Sequence, residues 1–250
     1  MSGHSKWATI KHKKAATDAK RGKVFTKLIR ELTVAARMGG GDETMNPRLR
    51  TIVVKAKAIN MPSDTIRKAI MRGTGELEGV HYEEKHYEGY GPGGVAILIE
   101  ALTDNANRTS GEMRFVLSRN GGRMAEPGAV AYMFKTKGVL TFSDEAVSED
   151  LLMEKLLDAG VDDIAHTDAS TFEVTCDSSA FNAVKAAADA AGLKYESAEV
   201  TKVPTNTVRL EGADAQKMLK LVEALEDHDD VQNVFANFDI PMSEMEAASA

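Results

Sequence analysis

The chain has 250 residues, 43% hydrophobic and 28% charged, with a formal net charge of −7; this supplies more than one buried core and excludes a globally disordered chain. The charge is unevenly held: residues 1–72 carry 17 Lys and Arg against 5 Asp and Glu, a balance of +12, whereas residues 73–250 carry 14 bases against 33 acids, a balance of −19. Such a split points to a polyanionic partner at the N-terminal end, because cations gain affinity by releasing counterions condensed on phosphates while the acids repel the same partner.

The single Cys176 excludes an intramolecular disulfide framework and fits a reducing compartment. No apolar run approaches the roughly 20 residues of a membrane span, and the N-terminus lacks the apolar core of a secretory signal. The expectation is a soluble, cytoplasmic protein with no membrane contact.

The segment from Ser2 to Lys14 interleaves cations with His4, His12 and the only Trp, Trp7. Lys6, Lys11, Lys13 and Lys14 suit phosphates, and Trp7 or His12 suits stacking on an unpaired base; the plainer reading has Trp7 and Ile10 docking the tail onto the helical domain. Residues 1–75 read as helical throughout. Over 24–38, Phe25, Leu28, Ile29, Leu32, Ala35 and Ala36 recur at helical spacing, with Lys23, Lys27, Arg30 and Arg37 in a narrow stripe opposite. One face is core and the other positive, so the stripe is expected to face solvent and to tolerate Gln at Lys23, Lys27 and Arg30 without loss of fold. Gly39-Gly40-Gly41 ends this helix. A second runs from Pro47, with Leu49, Ile52, Val53, Ala56 and Ile59 inward and Arg48, Arg50, Lys55 and Lys57 on its edges. A third begins near Pro62 and stops near Gly73.

Beyond residue 80 the period changes to that of strands. Segments 82–90 and 95–103 read as strands joined by a tight Gly91-Pro92-Gly93-Gly94 turn, 107–120 as a helix and 129–134 as a strand. Then 139–142, 148–159, 163–166, 172–176, 179–191 and 195–202 read as strand, helix, strand, strand, helix, strand, the ferredoxin-like order. Strand 207–210, helix 213–226 and strand 231–235 close the chain. These last elements cannot stand alone, but joined to 95–134 they complete a second set of the same order. The expected fold class is therefore α+β: a basic helical domain over 1–79, a discontinuous α+β domain over 80–136 and 204–240, a ferredoxin-like domain at 137–203 inserted into it, and a flexible tail over 241–250.

No catalytic constellation emerges: there is no nucleophile elbow, HExxH or paired-Cys motif, and Cys176 has no activating partner. The glycine-rich turn precedes a strand rather than opening a helix, so it is a hairpin and not a phosphate cradle. Asp104 to Asn107 read as helix capping. His81, Glu84, His86 and Glu88 lack a tight ligand spacing and read as polar positions on a strand exposed on one face. No cofactor, metal or enzymatic activity is expected.

Gly3-His4-Ser5-Lys6-Trp7, Lys11-His12-Lys13-Lys14-Ala15-Ala16, Asp18-Ala19-Lys20-Arg21-Gly22-Lys23, Phe25-Thr26-Lys27-Leu28-Ile29-Arg30-Glu31-Leu32, Asn46-Pro47-Arg48-Leu49-Arg50, Asn60-Met61-Pro62 and Tyr87-Glu88-Gly89-Tyr90-Gly91-Pro92-Gly93-Gly94 stand in order, and the chain resembles the YebC family through them. The match is dense to about residue 135 and looser after it. Arg123 and Ala125 depart from the Asn and Gly the resemblance leads one to expect. The resemblance implies three domains and a cytoplasmic regulator of gene expression, DNA-binding in the transcriptional reading. The alternative it implies is a translation factor acting with ribosomal RNA on the ribosome, including at proline-rich nascent sequences. The residues expected to meet nucleic acid are Lys6, Trp7, Lys11, Lys13, Lys14, Lys20, Arg21, Lys23, Lys27, Arg30, Arg37, Arg48 and Arg50.

Overall fold

The computed structural model describes residue 7 and residues 18–167 and 170–249, with side chains at Trp7 and from residue 22 to 248. From residue 18 the described chain forms three helices: α1 (Asp18–Gly39), α2 (Pro47–Ala58) and α3 (Ser63–Thr74). Their apolar stripes converge on one core that includes Leu28, Leu32, Leu49, Val53, Ile66 and Ala69. Asn46 explains the tightness of the α1–α2 turn: its side-chain oxygen accepts from the Leu49 amide at 3.0 Å, and its nitrogen donates to the carbonyls of Ala35 at 2.9 Å and Gly40 at 2.8 Å. Helix α2 ends on Asn60 in the left-handed region (φ 58°), with the Met61 amide bonding back to the Ala56 carbonyl at 2.9 Å and Met61 buried; the Asn-Met-Pro motif is thus a helix stop. The third helix runs past the expected stop at Gly73 to Thr74 and is capped by Gly75 at φ 85°. Gly73 has another task, since a Cβ there would lie 2.3 Å from the Thr33 carbonyl oxygen and 2.7 Å from the Ala36 Cβ. It is where α1 and α3 touch.

Strands β1 (Glu83–Tyr90) and β2 (Ala96–Thr103) form an antiparallel hairpin through the Pro92–Gly94 turn, with Tyr90 opposite Ala96. Helix α4 (Ala106–Arg119) leads to β3 (Arg123–Met124), two residues long. The strand expected at 129–134 is a correction: Ala131–Met133 is a single 3-10 turn, and the next strand, β4 (Phe134–Ser143), already belongs to the following sheet. That sheet also holds β5 (Val161–His166), β6 (Thr171–Asp177) and β7 (Ser197–Pro204) in the order β5-β6-β4-β7, all antiparallel, with α5 (Glu149–Leu156) and α6 (Phe181–Ala190) as the connecting helices. This is the ferredoxin-like arrangement. Its core holds Leu140, Phe142, Leu152, Phe172, Val174 and Val184. Because β4 begins at Phe134, which packs with Ala96, Leu98 and Phe235, the strand crosses from one core into the next without a linker.

The chain then returns through β8 (Val208–Arg209), α7 (Gly212–Glu226), β9 (Val231–Ala236), β10 (Phe238–Asp239) and α8 (Met242–Ser249). The first α+β sheet has the order β3-β1-β2-β9. The second ferredoxin-like set is therefore not completed: β8 pairs only with β10, in parallel, because the free edge of β2 is taken by β1, its hairpin neighbour. Helices α4 and α7 cover one face of this sheet through Met113, Leu117, Met218 and Val222, and Val130, Phe134 and Phe235 pack on Ala96 and Leu98 of the other, so β2 is buried on both sides. The tail expected to be flexible is instead α8. Met245 is fully buried in the same core, and the Glu244 carboxylate accepts from the Gly212 amide at 2.7 Å, satisfying an amide at the start of α7.

Candidate nucleic-acid interface

Only Lys23 of the basic stripe of α1 is exposed, while Lys27, Arg30 and Arg37 are turned into the molecule, which corrects the reading from periodicity. The Lys23 ammonium donates to the Asp227 carbonyl at 3.2 Å and lies 3.7 Å from its carboxylate, and Lys27 donates to the Glu226 carbonyl at 2.7 Å. Both carbonyls close the C-terminal end of α7, where the helix dipole is negative. Arg30 lies deepest, donating to the Asp230 carboxylate at 2.6 Å and to the carbonyls of Asp229 at 2.6 Å and Leu102 at 3.3 Å. Its side chain is 14% exposed and its guanidinium lies 5.3 Å from the Tyr82 ring centre. Arg37 donates to the carbonyls of Tyr82 at 3.0 Å and Val80 at 3.4 Å. Arg48 pairs with Glu84 on β1. An anionic surface does await this stripe, but it is the acidic part of the same chain.

Asp230 centres the contact. It also accepts from Thr109 at 2.7 Å and Arg108 at 3.0 Å, while Arg108 reaches Asp104 at 2.7 Å. Burial pushes the Asp230 carboxyl up, and the bonds from Thr109, Arg108 and Arg30 outweigh that and hold it below the usual carboxylate range. Glu112, His228 and Asp230 converge closely enough to suggest a cation site, but both Asp230 oxygens are already used by two guanidiniums and a hydroxyl, so the cluster is an internal ion-pair and hydrogen-bond network. Asn105 caps α4 by accepting from the Arg108 amide at 3.1 Å, as the capping motif implies.

Trp7 is 6% exposed and belongs to the core of the first α+β domain, together with Tyr87, Ile97 and Met113. It is not available for base stacking, and it docks on the α+β domain rather than the helical one. Lys6, Lys11, Lys13 and Lys14, and the side chains of Lys20 and Arg21, lie outside the described residues. Arg50 donates to the carbonyls of Glu43 at 2.9 Å and Thr44 at 2.6 Å, bracing the α1–α2 turn from an exposed position. Leaving aside Lys23 and Arg48, which are exposed but paired with Asp227 and Glu84, the exposed cations of the helical domain among the described residues are on α2 and α3: Arg50, Lys55, Lys57, Arg67, Lys68 and Arg72. Between this domain and the β1–β2 edge opens a cleft of about 460 Å³ lined by Glu31, Arg48, Lys55, Glu84, His86 and Gln232, among others. Burial raises the Glu31 carboxyl above its ordinary range, against the pull of Lys55 and Arg48.

Glu88 is a residue that the strand pattern misplaced. It is buried, and its carboxylate accepts from the amides of Gly128 at 2.6 Å, Val130 at 2.6 Å and Ala131 at 2.9 Å. Burial raises its carboxyl, and these three bonds together bring it below the ordinary value. It anchors the loop after β3. Cys176 is buried, and burial pushes its thiol up, so it packs rather than reacts. Among the described residues no helix is long and apolar enough to cross a membrane.

A basic helical domain clamped by its cations onto the first of two α+β domains defines the class. Residues 5–76 match the family described as TACO1/YebC protein N-terminal domain, and residues 82–238 match TACO1/YebC second and third domain. The chain belongs to the TACO1/YebC family. It is 60% identical over 242 residues to a probable transcriptional regulatory protein of Syntrophobacter fumaroxidans, covering 96% of this chain and 97% of the relative. It is 57% identical over 246 residues to one of Geobacter sulfurreducens, covering 98% and 99%. The crystal structure of a conserved hypothetical protein from Aquifex aeolicus superposes with a TM-score of 0.78 at 44% identity, covering 90% of this chain and 92% of that one.

Proposed function

We propose that the protein is a non-enzymatic, nucleic-acid-binding regulator of gene expression that works in the cytoplasm, DNA being the target in the transcriptional reading that its relatives' names support. The observation that carries the reading is the charge split of +12 against −19. Five described cations of the helical domain are spent on the acidic domains, and those remaining exposed, on α2 and α3, together with the lysines of residues 1–14, form the contact surface for phosphates. The second reading, an RNA target on the ribosome, is favoured by Phe115, an aromatic ring 61% exposed on α4, since unpaired bases stack on such rings and a duplex offers none. Crosslinking the protein in cells and sequencing the recovered nucleic acid tests both. Enrichment of promoter DNA supports the first reading, enrichment of ribosomal RNA the second, and recovery of neither overturns the proposal.

A further inference from the structure

Residues 105–124 run against the charge of their surroundings, holding four Arg and one Glu within a region where acids outnumber bases 33 to 14. Arg108 is consumed by the Asp230 network. Arg114, Arg119 and Arg123 are all exposed, and none of them pairs with a carboxylate among the described residues. Two of the three lie over aromatic rings instead: the Arg119 guanidinium carbon is 5.9 Å from the centre of Phe115, one turn earlier on α4, and that of Arg123 is 4.7 Å from the centre of Tyr90. Next to the second pair is a hollow of about 380 Å³ lined by Tyr90, Gly91, Gly94, Gly121, Gly122 and Arg123. Its glycines keep it open. Gly94 and Gly121 have φ of 80°, where side chains are strained, and a Cβ at Gly122 would lie 2.7 Å from the Tyr90 carbonyl oxygen.

We infer that this surface, from Arg114 on α4 to the glycine-lined hollow beside Arg123, is a second nucleic-acid contact, and that it takes an unpaired strand. Unpartnered guanidiniums supply charge for phosphates, while Phe115 and the guanidinium planes offer flat faces on which successive bases stack. A duplex presents no such base faces, so it gains only the charge. The inference rests on the nucleic-acid-binding reading and adds to it a site in the acidic part of the chain, where the charge split predicts none.

The test uses the full chain and fluorescence anisotropy with a labelled oligouridine RNA, the matching single-stranded DNA and a duplex of equal length. Phe115→Ala, and separately Arg119→Gln with Arg123→Gln, are expected to weaken single-strand binding roughly five- to a hundredfold and to leave melting unchanged. The double variant should also lower the slope of log affinity against log salt by roughly 0.7 for each phosphate that is no longer neutralised. Lys194→Gln with Lys220→Gln removes the same charge elsewhere and should change neither. RNA and single-stranded DNA losing equally marks an unpaired strand of either sugar, and a larger loss with RNA marks bonds to the 2′-hydroxyl. Wild-type affinity in both surface variants overturns the inference while leaving the wider reading intact. An equal loss on duplex overturns it in favour of plain charge. A wild-type chain that binds none of the three probes overturns both.

Discussion

Arg30 and Asp230 show how a single pair decides what a whole face does. Both are desolvated, with side chains 14% and 4% exposed, so the partner left by a truncation would keep a buried charge. Asp230→Ala is therefore expected to cost about 3–5 kcal/mol in urea unfolding, and Lys23→Gln, at a side chain 49% exposed, less than about 0.5 kcal/mol. A stripe that faced solvent would have tolerated both. The pH dependence has a definite sign. The Asp230 and Glu88 carboxyls are both depressed in the folded state, so their contribution is present above the ordinary carboxylate pKa of about 4 and is lost as pH falls through the depressed values. Unfolding measured between pH 7 and pH 3 should show that loss, and Asp230→Asn should flatten it. Glu88→Ala removes the acceptor of all three and should strip hydrogen-exchange protection from the amides of Gly128, Val130 and Ala131.

Among the elements, two glycines in helices predict opposite outcomes for the same substitution. Gly73→Ala would drive a Cβ into the α1 backbone at 2.3 Å, and separating α1 from α3 is expected to cost about 1–3 kcal/mol. Gly111 sits within α4 with open space for 4 Å around the position a methyl group would take, so Gly111→Ala should stabilise by about 0.4–1 kcal/mol through the unfolded chain alone. Thermal melts of the two variants read the difference directly. Helix periodicity exposes neither fact, since it assigns residues to a face but not the distance at which that face meets another helix.

The whole molecule is held together by the asymmetry that first suggested its partner. The helical domain has its own apolar core, and its union with the first α+β domain adds part-buried ion pairs and hydrogen bonds through Lys27, Arg30 and Arg37 and exposed ones through Lys23 and Arg48. Cations committed to Asp227 and Asp230 are unavailable to phosphates. A fragment of residues 1–79 is therefore expected to bind nucleic acid more tightly than the full chain and with a steeper salt dependence, by roughly 0.9 in slope for each additional duplex phosphate neutralised. Residues 80–250 should bind duplex weakly. Anisotropy titrations of the three proteins across a salt series check this, and equal slopes for fragment and full chain would show that the stripe meets no phosphate even when released.

Local rules were enough for the three leading helices, the Pro92–Gly94 hairpin and the ferredoxin-like order of the inserted sheet, because apolar period, capping residues and turn residues each act within a few positions of one another. They were enough, too, for the polarity of the molecule, which is a sum over residues. Residues far apart in the chain decided the rest. Whether the free edge of β2 takes β1 or β8, whether Met245 finds a core, whether Trp7 meets a base or the core around Met113, and whether Arg30 faces water or Asp230, 200 positions away, depend on which surfaces the fold brings together. Periodicity marks a face as polar, but a polar face satisfied by an internal carboxylate and one left for solvent have the same sequence pattern, and only tertiary contact separates them.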